Sequence, residues 1–383
     1  MDTPQGIGLM ASDHETIMAR CDGGKYQFCP NVRTAKAAGN PDKPLFIRDQ
    51  FMPSLTPEIF ADVVAQAALA PSVHNAQPAR WRKDGNAICI AADLSVTLPQ
   101  ADPDGAAIAL SCGAATEATV LALSAHGLEC RVTDMWADDT CQQWTGHRIA
   151  AIVSVVAGAS PDPLAAQLPH RFTWRGPFAP EPPQLFGWTR GDMTMVFDPA
   201  LRKWLADLND ASSLSILQRK AFRHELLSWM RLSDDHPRAP FDGMDLAALR
   251  MNADIARYVR LGFGPLWPVL HLLGQTRSLT AQAADTVTAP LIGLFHRPVD
   301  ESPIATGRAY LRLLLEATKL GFAGWPMAAL TDDHQAAAQL KAHWGIAPDR
   351  TLVQVIRFGV ATGPQPRRAR RLLSELAPPA APP

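Results

Sequence analysis

Two glycine-marked helical patterns in one register, nearly two hundred residues apart, limit most what this sequence can build. The first covers residues 105–125 and stops at Gly127; the second starts at Ser302-Pro303, runs to Leu320 and stops at Gly321. Gly113 and Gly127 are fourteen residues apart, as are Gly307 and Gly321, and on that register Ala115 and Leu121 fall on Ala309 and Leu315. Each helix is later followed by a strand-like run of similar texture, 149–156 and 352–360. Matching residues in a matching order of elements imply an internal duplication. Ala106, Ala107, Ala109, Gly113, Ala114, Ala115 and Ala118 let another helix come very close, so the first helix is expected to pack centrally, with Asp104 as its cap.

The flanking segments fit an α+β unit. Thr56 can cap a helix with Pro57 in its first turn, its apolar face being Ile59, Phe60, Val63, Val64, Ala67 and Ala68, and Pro71 ends it. Strands at 80–83 and 87–92 are joined by Asp84-Gly85-Asn86, a hairpin turn, and strands at 129–133 and 148–156 close the unit near Gly158. Residues 200–285 read as a helical insertion, with helices at 202–210, 222–232 and 246–261 and a break at Asp242-Gly243. Its aromatic turn, Gly262-Phe263-Gly264-Pro265-Leu266-Trp267-Pro268, packs on the surface or covers a pocket as a lid. The expected division is an N-terminal extension at 1–50, a first half at 51–160, a second half at 161–375 carrying the insertion, and a disordered Pro-rich tail at 376–383.

With 383 residues, 47% of them apolar, the chain can fill two domains. Lys+Arg 36 against Asp+Glu 37 gives no global pull toward nucleic acid or an anionic membrane. Cys21, Cys29, Cys89, Cys112, Cys130 and Cys141 show no metal-type spacing and read as reduced packing thiols, so no metal is expected and the compartment is expected to be cytoplasmic. No signal peptide and no uninterrupted apolar span of membrane length is evident.

Two stretches carry chemistry. Residues 70–81 read A-P-S-V-H-N-A-Q-P-A-R-W: two prolines stiffen a connection whose Ser72, His74, Asn75 and Gln77 suit the edge of a planar, hydrogen-bonding ligand. Residues 170–178 read H-R-F-T-W-R-G-P-F, where Arg171, Thr173 and Arg175 alternate and so face one way in an extended segment. Two guanidiniums flanking a hydroxyl make a phosphate clamp.

The first stretch resembles the P-S-x-x-N-x-Q-P signature of the FMN-dependent nitroreductase family, and the second resembles that family's R-x-[ST]-x-R phosphate-binding segment. Their order within a duplicated chain resembles the Acg-like two-domain branch, in which the halves of one chain mimic a homodimer. The likeness covers about residues 55 to 375. It implies two tandem nitroreductase-like α/β sandwich domains of α+β class, each a mostly antiparallel sheet flanked by helices, forming an intramolecular pseudo-dimer that is itself monomeric or homodimeric. It further implies that Arg171, Thr173 and Arg175 hold the phosphate end of one FMN, while Ser72, Asn75 and Gln77 reach it from the other half with His74 nearby. Gly324 and Trp325 are expected against the flavin ring, and Arg367 and Arg368 at the phosphate, with Arg357 as a competing anchor. The first half lacks its own arginine segment, so one site per chain is expected. Two departures bear on the pocket's shape: Ala79 stands where the branch usually has Trp, with Trp81 two places on, and Trp174 replaces a small polar residue.

The implied activity is two-electron hydride transfer through flavin N5 to a nitro, quinone or other small acceptor, with NAD(P)H as donor and no obligatory side-chain acid or base, so no catalytic residue is named. A lidded, non-catalytic flavin store and an oxidative tailoring enzyme are the alternative readings. G-x-G-x-x-G, G-x-S-x-G, H-E-x-x-H and Walker A patterns are absent.

Overall fold

The computed structural model describes residues 54–138, 144–180 and 187–378; the expected extension at 1–50, the last five residues of the expected tail, Cys21, Cys29 and Cys141 lie outside them. Helix α1 (Pro57–Ala67) starts as expected, Thr56 Oγ1 accepting from Ile59 N at 3.3 Å. Strands β1 (Ala79–Asp84) and β2 (Ala87–Asp93) form the hairpin, turned through Gly85 at φ 54. Helix α2 (Ala106–Ala125) follows, then β3 (Leu128–Asp134) and β4 (His147–Gly158). These strands make an antiparallel sheet of order β1-β2-β4-β3. Asp104 does not cap α2. Gly105 opens the helix at φ 71, and the carboxylate three residues before it, Asp102, accepts from Ala107 N and Ile108 N at 2.9 and 2.8 Å. The left-handed turn at Gly105 carries Asp102, rather than its neighbour, onto the first free amides.

The second sheet, β5-β8-β10-β9, is also antiparallel and uses β5 (Met193–Val196), β8 (Leu291–Pro298), β9 (Ala323–Pro326) and β10 (Arg350–Gly359). Between β5 and β8 lie α3 (Pro199–Leu217), α4 (Lys220–Trp229), the short parallel pair β6 (Met230–Arg231) and β7 (Met244–Asp245), α5 (Leu246–Leu249), α6 (Ala253–Phe263), α7 (Trp267–Leu272), α8 (Thr276–Thr280) and α9 (Ala283–Thr286). Helix α10 (Pro303–Lys319), capped by Ser302, precedes β9, while α11 (Ala329–Asp332) and α12 (His334–His343) lead into β10, and α13 (Leu373–Leu376) comes last. The fold is thus tandem α+β, with two antiparallel sheets and their helices. The expected helix at 246–261 is broken, because Arg250 turns left-handed at φ 54 and Asn252 caps a new helix.

Helix α2 is apolar and long enough to cross a bilayer by composition, yet it is a core helix: 72% of that window is buried. It packs on its own sheet and on α10. A Cβ on Gly113 would lie 2.9 Å from Gly307 Cα, so only glycine permits this crossing distance. Beside the crossing, buried Glu117 accepts from Arg308 Nε at 2.7 Å and Arg312 Nη1 at 2.8 Å.

Candidate functional site

Three segments distant in sequence meet in one cleft of about 670 Å³ open to solvent. The connection after α1 supplies Pro71, Ser72, His74 and Asn75; the segment before β5 supplies Arg171, Phe172, Thr173 and Arg175; the stretch after β10 supplies residues 366–370. A fourth wall comes from the insertion: Gly243, Met244, Asp245 and Ala248.

The first connection is built tightly. His74, Asn75 and Gln77 all have positive φ, at 47, 55 and 51°. Such conformations cost non-glycine residues on the order of 1 kcal/mol or more each and persist where surroundings impose them. Ser72 Oγ accepts from Gln77 N at 3.0 Å, and Ser111 Oγ on α2 accepts from Val73 N at 3.1 Å. Asn75 Nδ2 donates to Gly243 O at 3.0 Å and Ala369 O at 3.2 Å, and its Oδ1 accepts from Arg370 Nη1 at 2.9 Å. Gln77 is buried outside the cleft: Nε2 donates to Phe241 O at 2.9 Å and Oε1 accepts from Arg371 N at 3.0 Å. Both carboxamides therefore hold the loop to the insertion and the C-terminal segment. His74 differs: its Nε2 is buried without a partner, and burial, with Arg175 nearby, lowers its pKa to about 4, leaving the imidazole neutral at pH 7.

The cleft is strongly cationic. Arg171 donates to Leu69 O at 3.1 Å, Arg175 to Ala248 O at 3.0 Å, and Arg368 to Pro169 O and Arg171 O at 2.7 Å each. Arg370 donates to Ala369 O at 2.7 Å as well as to Asn75. Among the described residues none of these four guanidiniums has a carboxylate ion-pair partner, although Asp245 lies in the lining and favours the charge on Arg175. Burial pushes Arg171 and Arg175 down to about 10 and Arg370 to about 9, all still cationic at neutral pH. Arg367 lines the same cleft but is exposed.

Other residues singled out in the sequence lie elsewhere. Gly324 sits behind the arginine segment, bridged to Thr173, with its carbonyl accepting from Trp174 N at 3.2 Å. Trp325 stacks against buried Arg357, whose guanidinium carbon is 3.6 Å from the ring centroid and which donates to Gln282 and Thr286. Neither Trp325 nor Arg357 lines the cleft. Trp174 turns inward, its Nε1 donating to Pro177 O at 2.8 Å, and Trp81 points into the first core, donating to Thr119 Oγ1 at 2.9 Å. Phe263 and Trp267 pack in the insertion's own core rather than over the cleft. The lining residues not singled out in the sequence include Arg370 after β10 and, from the insertion, Met244, Asp245 and Ala248, near which the Asp242-Gly243 break was the signal.

Comparison with known proteins gives a partial match. Two Mycobacterium tuberculosis proteins, from strains CDC 1551 / Oshkosh and ATCC 25618 / H37Rv and both provisionally named NAD(P)H nitroreductases, are 33% identical over 120 residues, 31% of this chain. The match spans about a third of those relatives' length. No family model matches. Among solved structures, iodotyrosine deiodinase bound to FMN and 3-iodo-L-tyrosine aligns with TM-score 0.32 and 13% identity over 55% of this chain and 95% of its own. An FMN- and NADPH-dependent nitroreductase variant from Sphigopyxis sp. strain HMH aligns with TM-score 0.32 and 17% identity over 57% and 99%. The Mycobacterium smegmatis FMN-dependent nitroreductase in complex with NADPH aligns with TM-score 0.28 and 21% identity over 52% and 88%.

Proposed function

We propose, from the 120 residues that match its mycobacterial relatives, that the chain is a member of the nitroreductase family, that the cleft holds FMN and that the protein is an oxidoreductase. The observation that carries this reading is the set of four guanidiniums, Arg171, Arg175, Arg368 and Arg370, converging on one cleft without ion-pair partners among the described residues. Buried cations without counter-charges are costly, and a phosphate dianion supplies the missing charge. Thr173 adds a hydroxyl at that end. Ser72, His74 and Asn75 form the wall facing it from the other half, with the unpartnered His74 Nε2 free for a ligand.

Bound there, FMN supplies two-electron transfer between a nicotinamide donor and a nitro, quinone or other small acceptor. The chain's own residues bind the phosphate, fix the loop at 72–77 and narrow the cleft. The α2–α10 crossing supports an Acg-like pseudo-dimer in which each half contributes to one site. One observation favours a covered, storage-type flavin: the insertion's 243–248 segment walls the cleft and is hydrogen-bonded to Asn75.

The test begins with purified protein: bound flavin absorbance, then anaerobic addition of NADH or NADPH. Rapid bleaching supports turnover, and a yellow protein that stays yellow supports storage. A folded protein that neither carries nor takes up FMN ends the reading. Arg171→Ala with Arg175→Ala is expected to abolish FMN retention while the fold survives; unchanged flavin content would put the phosphate elsewhere.

A further inference from the structure

Helices α6 to α8, at the tip of the insertion, turn an apolar ridge outward. On α6, Ala256, Val259 and Phe263 pack into a cluster with Trp267, while Ile255, Tyr258 and Leu261, three residues apart on another face, remain 46%, 49% and 41% exposed. Leu266 N donates to Leu261 O at 2.9 Å, which carries the ridge onto α7. There Leu266, Val269, Leu272 and Leu273 are 41%, 54%, 86% and 64% exposed. Isolated exposed leucines need no explanation, but seven large apolar side chains on adjoining turns make a patch.

The charges around it are mostly of one sign. Exposed Asp254 shares the outer face of α6 with Tyr258 and Leu261, but residues 255–284 contain no Asp or Glu, whereas Arg257, Arg260 and Arg277 are all exposed. Arg257 and Arg277 have no ion-pair partner among the described residues. The chain-wide balance of 36 against 37 conceals this segregation. Self-association through the ridge would set three arginines of each copy against three of the other with one Asp254 apiece to offset them. An anionic bilayer satisfies both components, apolar side chains entering the acyl boundary and guanidiniums meeting phosphates.

We infer that the ridge of α6 and α7 docks on an anionic lipid surface, Leu272 and Leu273 inserting and Arg257, Arg260 and Arg277 meeting the headgroups. This stands apart from the flavin reading. The test is co-sedimentation of the full chain with vesicles of phosphatidylcholine alone or with added phosphatidylglycerol. Binding is expected on the anionic vesicles, roughly tenfold above the neutral ones and falling as salt is raised. Leu272→Asp with Leu273→Asp is expected to lose binding roughly tenfold or more at unchanged melting temperature. Arg257→Ala with Arg277→Ala is expected to weaken it, and the Lys pair at those positions to retain it. Three results overturn the inference: no pelleting with anionic vesicles, undiminished pelleting of the Asp variant, or a dimer in light scattering that the Asp variant dissolves while vesicles bind nothing.

Discussion

Gly113 and Gly307 meet where α2 crosses α10: a Cβ on Gly307 would stand 2.8 Å from Gly113 Cα and 2.9 Å from Ala114 N. The obstacles are backbone atoms on a packed helix, which cannot swing aside as a side chain can. Gly307→Ala is therefore expected to force the helices apart and to destabilise the protein by about 1–3 kcal/mol, the usual range for overpacking. Gly191, whose added Cβ would meet nothing within 4 Å, is the control site for the same substitution. Urea unfolding of both variants measures the difference; equal stabilities would mean that the crossing is looser than its geometry.

His74 provides a pH test. Its folded pKa, about 4, lies below its ordinary 6.5, because burial and then Arg175 disfavour the charged ring. A depressed histidine makes the unfolded state the better proton binder between those values, so stability falls as pH drops from about 6.5 toward 4. Between pH 7 and 5 the loss is at most about 2 kcal/mol, taking 1.36 kcal/mol per pKa unit. His74→Asn tolerates the positive φ and does not titrate, so its stability is expected to be flatter over this interval. Parallel slopes for the two proteins in urea melts at pH 5 and 7 would rule out the buried neutral imidazole.

The arginines after β10 should separate by burial. Arg370 is pushed to about 9 by burial, with Arg171 and Arg368 adding repulsion, whereas Arg367 lines the same cleft from an exposed position. On the flavin reading, Arg370→Ala is expected to weaken FMN binding about ten- to a hundredfold, the scale of a lost hydrogen bond to a charged partner. Arg367→Ala is expected to change it less than about threefold. Flavin fluorescence quenching gives both constants, and the reverse ranking would place the anion nearer the cleft mouth.

These residues also show what was legible in the chain. The glycine register and the loop at 70–81 are local patterns, and they recur in the structure as the α2–α10 crossing and one wall of the cleft. Arg171, Thr173 and Arg175 do line one cleft, as their alternation implied. Contacts made at a distance were not legible. The hydrogen bond from Gln77 to Phe241 spans 164 positions, so nothing local to either residue announces it. Asp102 displaces Asp104 as the helix cap because of a left-handed turn at Gly105. Phe263 and Trp267 were visible as aromatics, but their direction, into the insertion's own core, depended on α4 and α8 closing around them.

Asp242 joins the insertion to the arginine-rich C-terminal segment. It is 3% exposed and accepts from Arg231 at 2.7 Å and Arg238 at 2.7 Å, with Arg371 Nη2 at 3.0 Å. Burial alone would raise its pKa, yet the hydrogen bonds from Arg238 and Arg231 hold the carboxyl below its ordinary value. Its neighbours Phe241 and Gly243 are the residues whose carbonyls receive Gln77 and Asn75. Asp242→Ala leaves buried Arg231 facing Arg238 and Arg371 without their shared counter-charge, a change expected to cost about 3–5 kcal/mol. Asp242→Asn keeps the shape and some hydrogen bonding, so it is expected to cost less. Because the strained turn at 74–77 is held by this segment, Asp242→Ala should also release any bound flavin at temperatures where the variant remains folded by circular dichroism. Urea unfolding and flavin release on the same samples separate the two effects. A stability loss under about 1 kcal/mol would show that the three arginines find other partners, and that the loop is held by its own hydrogen bonds.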